Sequence, residues 1–206
     1  MWDQIVQLLN YIVYTMANYN IGILVGSLRK DSYNKRIAHF ILEQQSNNFR
    51  YSIIEIGDLP LYNQDYDDHG TVPESYIRFR QEITPMDGIL FITPEYNRAV
   101  PAVLKNAIDV GSRPYGRNKW DGKPAAIISS SIGAYGGFGA NHQLRQSLVF
   151  VNLHPLQQPE AYLGNIQECV GVDGKIGLQK TKDFLLSFKN AFEQWVDRIQ
   201  QTKGRA

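Results

Sequence analysis

NIGILVGSLRKDSYN, residues 20–34, is the stretch of sequence that decides the fold. A short apolar run stops at Gly26, a polar turn follows, and apolar residues then recur at helical spacing from Ile37. In open α/β folds, a strand, a polar turn and a helix in this order bind anions, because the helix N-terminus presents unpaired N–H groups and a partial positive charge. The alternative interpretation is an ordinary strand-to-helix turn with an N-cap serine.

Further strands and helices alternate along the rest of the chain. Short β-branched or apolar runs predict strands, and apolar residues at i, i+3 and i+4 predict helices. The strands are predicted at 51–56, 88–93, 124–129 and 151–156, the last of which is alternatively the end of a helix around 144–150. The other helices are predicted at 73–83, 99–111 and 178–199. This βα repeat predicts an α/β fold with one parallel sheet and helices on both faces. One such fold is the flavodoxin-like three-layer sandwich, whose five-stranded parallel sheet has the order 2-1-3-4-5.

Three polar loops follow the first, third and fourth predicted strands, at 26–34, 93–98 and 129–139. In the order 2-1-3-4-5, the carboxyl ends of these strands are neighbours on one rim, where such folds bind their ligands. The first loop supplies short donors and a bidentate cation for a phosphate, namely Ser27, Ser32, Asn34 and Arg29. A terminal phosphate monoester is favoured over a pyrophosphate, because the glycines of G-x-G-x-x-G and a Walker A pattern are both missing from the sequence.

The second and third loops suit a flat heteroaromatic ligand. Pro94 fixes the backbone, Tyr96 offers a ring face, and Asn97 offers a donor and an acceptor. Asn97 is alternatively the cap of the next helix. Glu95 is interpreted as a structural residue rather than a general base. In the third loop, glycines let backbone N–H groups approach the edge of a ligand closely.

At these residues the sequence closely resembles the NADPH-dependent FMN reductase family of the flavodoxin superfamily, which includes bacterial quinone, chromate and azo-dye reductases. The matching segments are GSLRKDSYN at 26–34, TPEYNRAVPAVLKNAID at 93–109, WDGKPAAIISSSIGAYGG at 120–137 and LRQSLVFVNLHPLQQPE at 144–160. The resemblance implies an FMN-binding homodimer or homotetramer. Such an enzyme takes a hydride from NADPH or NADH and reduces a second small molecule, such as a quinone, an azo compound or a metal oxyanion.

Carried over by position, the resemblance also implies which residues bind FMN. The phosphate would be held by Ser27, Arg29, Ser32 and Asn34. The isoalloxazine would be bordered by Pro94, Glu95, Tyr96 and Asn97 on one side and by Ser130, Ser131, Ile132 and Gly133 on the other. No residue is assigned as catalytic, because the cofactor carries the chemistry and the first hydride transfer needs no side-chain acid or base.

Composition and charge are those of an ordinary soluble globular protein. Of the 206 residues, 43% are hydrophobic and 20% are charged, and a net charge of +1 without basic blocks argues against nucleic acid as the ligand. The single cysteine, Cys169, cannot form an internal disulfide, which favours a cytoplasmic location. The acidic loop residues Asp65, Asp67 and Asp68 lack the spacing of a calcium loop, so no metal site is expected. Of the histidines, only His142 follows a loop of the predicted site.

Residues 1–15 form an N-terminal extension, and the predicted domain begins at Met16. Apolar residues recur in the extension at helical spacing, so an appended amphipathic helix and an upstream start codon are both consistent with the sequence. The extension has no positively charged n-region, and its apolar stretch is shorter than the roughly 20 residues of a membrane span. Neither a secretory signal nor a membrane span is therefore expected.

Two other functions remain open on these residues. A flavodoxin-type electron carrier would share the fold and the cofactor, but such carriers usually present an acidic surface, whereas this chain is near neutral. A flavin-binding redox sensor would bind FMN and turn over poorly. A serine hydrolase is disfavoured, because the sequence contains no G-x-S-x-G motif.

Overall fold

A parallel β-sheet forms the centre of the structure, a computed structural model in which residues 19–44 and 46–203 are described. The strands are β1 (Tyr19–Val25), β2 (Phe49–Ile53), β3 (Gly88–Thr93), β4 (Pro124–Ser130), β5 (His154–Pro155) and β6 (Ala161–Leu163). The helices are α1 (Tyr33–Glu43), α2 (Asp65–Asp68), α3 (Glu74–Ile83), α4 (Ala102–Gly111), α5 (Phe138–Phe150) and α6 (Gln179–Lys203), and a 3₁₀ turn spans Ile166–Cys169. The strand order is β2-β1-β3-β4-β5, so the predicted order 2-1-3-4-5 is confirmed.

The central strands are apolar on both faces, because helices cover both sides of the sheet. Alternate residues of β1, β3 and β4 belong to different core clusters. One cluster faces α1 and α6 and includes Ile21, Ile23, Leu90, Ile92, Ala126 and Ile128. The other faces α3, α4 and α5 and includes Leu24, Ile89, Phe91, Ala125 and Ile127. All six residues of β3 are buried, which is why its continuous apolar run predicted both ends of the strand correctly.

The second strand lies earlier in the chain than predicted. The expected range was 51–56, whereas β2 spans Phe49–Ile53 and its first residue pairs with Tyr19. The amide of Ile54 still donates to the carbonyl of Ile23, at 3.0 Å, but the amide of Ile56 donates to Oε1 of the Glu55 side chain instead, also at 3.0 Å. Ile54 and Ile56 are buried without continuing the ladder, so their alternation resembles a strand.

The far edge of the sheet is divided into two short strands. The helix before it ends at Phe150, so 151–156 is not helical, and β5 occupies only His154–Pro155 of that range. Strand β6 was not predicted, and it pairs with β4 further along, at Ile128 to Ser130. Pro155 lacks an N–H donor and is therefore tolerated at an edge, but it does not extend a ladder.

The acidic loop between β2 and α3 contains a structural ion pair. Asp67, in the short helix α2 that was not predicted, bonds the buried Arg80 through both carboxylate oxygens, at 2.7 and 2.9 Å. The Nε of Arg80 also donates to the carbonyl of Val110, at 3.0 Å. The guanidinium therefore joins this loop to α3 and to the end of α4.

The predicted N-terminal extension, residues 1–15, and the predicted domain start at Met16 lie outside the described residues. Over the ranges 19–44 and 46–203, no helix combines the length and the apolar character that crossing a bilayer requires.

Replacing Asp67 with Asn should lower the free energy of unfolding by about 3 kcal/mol, because the buried Arg80 loses its counter-charge. Urea denaturation followed by circular dichroism measures the change. The matched control is Asp109→Asn, which removes the carboxylate of an exposed pair with Lys105 and should cost less than about 1 kcal/mol. Equally small effects of the two substitutions would show that the Asp67–Arg80 pair does not support the fold.

Candidate active site

The first two predicted loops meet where β1 and β3 end. The amide of Gly26 donates to the carbonyl of Ile92, at 2.8 Å, so the loop after β1 starts directly beside the loop after β3. A Cβ on Gly26 would lie 3.1 to 3.3 Å from Leu104, Pro94 and Thr93. Only glycine permits this approach without a shift of the neighbouring side chains.

A cavity of about 230 Å³ opens between the three loops at the carboxyl edge of the sheet. It is lined by Ser27, Arg29, Ser32, Tyr33, Asn34, Pro94, Glu95, Tyr96, Ser130, Ser131, Ile132 and Ile166. Ten of the twelve residues predicted to bind the cofactor are in this lining. The other two, Asn97 and Gly133, belong to the same loops but do not line the cavity.

One end of the cavity consists of buried polar side chains at the N-terminus of α1. Ser27, Ser32 and Asn34 are only 3%, 2% and 4% exposed, which is unusual for such residues unless they serve a site or a hydrogen-bond network. Ser32 is the N-cap, and its Oγ accepts from the amide of Lys35 at 3.4 Å. Asn34 Oδ1 accepts from Ser130 Oγ at 3.1 Å, which joins the first loop to the third.

The backbone of the first loop supplies further donors. The amides of Ser27, Leu28 and Arg29, and those of Tyr33 and Asn34 in the first turn of α1, donate to no other residue in the described ranges. Such donors, together with the helix dipole and the exposed guanidinium of Arg29, form the arrangement that binds phosphate groups. The donor set therefore fits a phosphate monoester.

The second loop is a tight turn rather than a helix cap. Tyr96 and Ala99 exchange backbone hydrogen bonds of 3.1 and 2.9 Å, and Asn97 and Arg98 between them have φ values of 52° and 64°. Positive φ at both central positions is the pattern of a type I′ turn. Because α4 begins at Ala102, the alternative that Asn97 caps this helix is wrong.

Glu95 connects the second loop to α5. Its Oε2 accepts from the amide of Ala140 in the first turn of α5, at 3.0 Å, and its Oε1 lies 3.4 Å from Arg98. A carboxylate at this point satisfies a free helix donor and compensates the helix dipole. This geometry supports the interpretation of Glu95 as a structural residue, and its side chain lines the cavity at the same time.

Polar contacts with α5 and β6 hold the third loop in place. Asn141 is fully buried, and its Nδ2 donates to Ser129 Oγ at 3.2 Å, while its Oδ1 accepts from Arg145 Nε at 3.0 Å. The amide of Ser131 donates to the carbonyl of Leu163 on β6, at 3.1 Å. The unpredicted strand thus supports the loop that closes the cavity.

His142 contacts an aromatic group outside the cavity lining. Its ring lies 4.2 Å from that of Phe138, between centroids, and its Nε2 is 2.9 Å from the hydroxyl of Tyr162. Burial and the nearby carboxylate of Glu160 raise the pKa of Tyr162 to about 12, so this hydroxyl is neutral at physiological pH. His142 does not line the cavity, so the structure gives it no direct role there.

No group of three or more His, Cys, Asp or Glu side chains in the described part of the chain is arranged to hold a metal ion. Cys169 is a buried free thiol whose Sγ lies 4.0 Å from the carbonyl of Asn165.

Two residues of the lining, Tyr33 and Ile166, were missed by the sequence reasoning. Tyr33 lies inside the motif at 26–34, between the N-cap and Asn34, so its place at the first helical position was a usable signal. Ile166 follows β6 in the 3₁₀ turn. Because β6 has only three residues, no periodicity in the sequence indicated that the chain returns to the cavity there.

Comparison with known protein families identifies one that covers most of the described chain. The model of the NADPH-dependent FMN reductase family matches residues 19–168, which include all three loops of the cavity.

Similar proteins of assigned function match over most of their own length. A quinone reductase of Pseudomonas putida is 52% identical over 178 residues, which are 86% of this chain and 95% of that protein. A 2-hydroxy-1,4-benzoquinone reductase of a Burkholderia species is 42% identical over 176 residues, which are 85% of this chain and 95% of that protein. Among solved structures, the flavoenzyme NAD(P)H:(acceptor) oxidoreductase FerB of Paracoccus denitrificans is similar at a TM-score of 0.81, with 39% identity, 87% of this chain and 98% of that chain covered.

Replacing Glu95 with Leu should loosen the start of α5, because the amide of Ala140 loses a charged acceptor. We expect backbone amide exchange in residues 139–141 to accelerate roughly tenfold, the lower end of the range for a hydrogen bond to a charged group. Hydrogen–deuterium exchange with mass spectrometry measures this. Glu95→Gln, which keeps an acceptor oxygen, should have a smaller effect, and Glu74→Leu in the first turn of α3 should leave α5 unchanged. Unaltered exchange in Glu95→Leu would contradict the capping role.

Proposed function

The chain belongs to the NADPH-dependent FMN reductase family, and we propose that it is an NAD(P)H-dependent, FMN-containing reductase of quinones. A hydride would pass from the nicotinamide to FMN and then to the acceptor. The observation that carries this proposal is the cavity at the carboxyl edge of the sheet, whose buried hydroxyl and amide groups surround the N-terminus of α1. This is the position and the chemistry that a flavin phosphate requires in such a sheet.

The cofactor would extend from the first loop toward the other two. Its phosphate would be held by Ser27, Ser32 and Asn34, by the free amides of this loop and by Arg29. Pro94, Tyr96 and the backbone of residues 130–133 would border the isoalloxazine. Asn97 is included in the proposed binding set through the backbone of its turn, and Gly133 through the backbone of the third loop. FMN is favoured over a dinucleotide, because the first loop lacks the glycines that admit a pyrophosphate.

When bound, FMN supplies a ring that accepts a hydride and passes it on. The residues of this chain bind and orient it. Glu95 fixes the second loop against α5, and the Asn34–Ser130 hydrogen bond fixes the first loop against the third. These two contacts would hold the ring in one orientation, so that one face would be open to the nicotinamide and to the acceptor.

A quinone is the best supported class of acceptor, because two of the similar proteins are named as reductases of quinones. Azo compounds and metal oxyanions are included in the proposal, since an open flavin face reduces many acceptors. A flavodoxin-type electron carrier is the second candidate, but the formal net charge of +1 does not supply the acidic surface that such carriers present to partners.

The proposed oligomeric state is a homodimer or homotetramer, and the proposed location is the cytoplasm. Cytoplasmic location is supported by Cys169, which is the single cysteine of the chain and is a free thiol. A small-molecule acceptor, rather than nucleic acid, is supported by the small size and apolar rim of the cavity, where Ile132 and Tyr96 are exposed.

Steady-state oxidation of NADPH by the purified, FMN-loaded protein tests this function. With 1,4-benzoquinone as acceptor we expect multiple turnovers and parallel double-reciprocal plots, because both substrates would use one face of the flavin in turn. NADH should be assayed in parallel to establish the preference between the two nucleotides. Reduction of bound FMN at a rate too slow for turnover, with every acceptor tried, would favour an electron carrier or a redox sensor instead.

A further inference from the structure

Arg98 occupies an unusual position beside the cavity. It lies in the turn between Tyr96 and Ala99 with a φ of 64°, a left-handed conformation that is uncommon for residues other than glycine. Tyr96 on one side of the turn lines the cavity, and the Arg98 side chain is 76% exposed. The backbone hydrogen bonds of the turn therefore hold a cation at the edge of the proposed flavin site.

The guanidinium of Arg98 is oriented by an aromatic ring of the third loop. Its central carbon lies 5.8 Å from the centroid of the Tyr135 ring, a distance typical of a cation–π contact. Tyr135 is itself exposed and belongs to the loop that contributes Ile132 to the cavity. The contact joins the second and third loops across the outer side of the site. A guanidinium that rests on a ring face keeps its N–H edge available to an oxyanion.

The charge of Arg98 is only partly used within the protein. Its single ion pair among the described residues is a 3.4 Å contact with Glu95 Oε1. Glu95 is also engaged at Oε2 with the amide of Ala140, where the positive end of α5 offsets its negative charge. Within the described ranges, most of the five N–H donors of Arg98 thus remain available to a ligand.

We propose that Arg98, oriented by Tyr135, recognises acceptors that carry a negatively charged oxygen group on the ring to be reduced. The shared chemistry is that of ring sulfonates, carboxylates and deprotonated hydroxyl groups. The proposal rests on the proposed function, since it places the acceptor ring on the open flavin face. Arg98 determines which acceptors bind well and takes no part in hydride transfer.

The test compares 1,4-naphthoquinone-2-sulfonate with uncharged 1,4-naphthoquinone, using FMN-loaded protein. In Arg98→Asn, kcat/KM for the sulfonate should fall roughly threefold to tenfold relative to the uncharged quinone, the range for a charged hydrogen bond discounted for exposure. Asn is chosen because it removes the charge and still tolerates a positive φ. Arg98→Lys should lose less. Tyr135→Phe should retain the selectivity and Tyr135→Leu should reduce it.

Arg50→Ala is the matched control. Arg50 is an exposed arginine near the amino end of β2, whereas the cavity lies at the carboxyl edge of the sheet and has no β2 residue in its lining. It should leave the ratio for the two quinones unchanged. An unchanged ratio in Arg98→Asn, or an equal loss with both quinones, would overturn the proposal. A loss confined to NADPH relative to NADH would also overturn it, because Arg98 would then bind the 2′-phosphate of the nucleotide.

Equilibrium binding of the same two quinones to oxidised, FMN-loaded protein separates this proposal from the proposed function. Flavin absorbance reports the binding without any turnover. A selective loss of affinity for the sulfonate in Arg98→Asn supports the role of Arg98 even if NADPH is not oxidised. The same affinity ratio as in the unaltered protein removes that role, whether or not the protein turns over.

Discussion

The pairing of β1 with β3 positions every part of the site. The two strands run parallel, with Val25, the last residue of β1, opposite Ile92, and β3 ends one residue later at Thr93. The hydrogen bond from the Gly26 amide to the Ile92 carbonyl carries the pairing just beyond β1. Because both chains leave the sheet here, their polar residues emerge side by side, and the N-terminus of α1 is aimed at the space between them. A shift in this register would separate the phosphate-binding residues from the second loop.

Bonds between the loops then convert this proximity into a defined cavity. The Asn34–Ser130 hydrogen bond, the Glu95–Ala140 hydrogen bond and the Arg98–Tyr135 contact each join two different segments. Within the described residues, every buried side-chain polar atom has a hydrogen-bond partner, so the site is already ordered by the protein itself. An ordered site loses little conformational entropy when it binds a rigid, planar ring.

The sequence predicted the features that depend on long apolar patterns and on strand ends. The parallel sheet with helices on both faces followed from the βα repeat, its strand order from the resemblance to a flavodoxin-like family, and the three loops from the places where apolar runs stop. Prediction from the sequence failed where an element is too short to show a periodic pattern, or where a backbone conformation occurs without its usual residue types. β6 has three residues and carries no periodicity, so Ile166 was missed. The turn at Asn97 and Arg98 has positive φ at both positions without a glycine, so the sequence did not indicate the turn and left a helix cap open as the alternative for Asn97.

The most direct test of the site is the affinity of the apoprotein for FMN compared with riboflavin, which lacks only the phosphate. Quenching of flavin fluorescence measures both. The donors at the N-terminus of α1 predict that FMN binds at least about 100-fold more tightly, since several charged hydrogen bonds of roughly 1.5–3 kcal/mol each go to the phosphate. Arg29→Ala should narrow this gap by roughly tenfold or more and leave riboflavin binding unchanged. Equal affinities for FMN and riboflavin would contradict the assignment of this loop as the phosphate site.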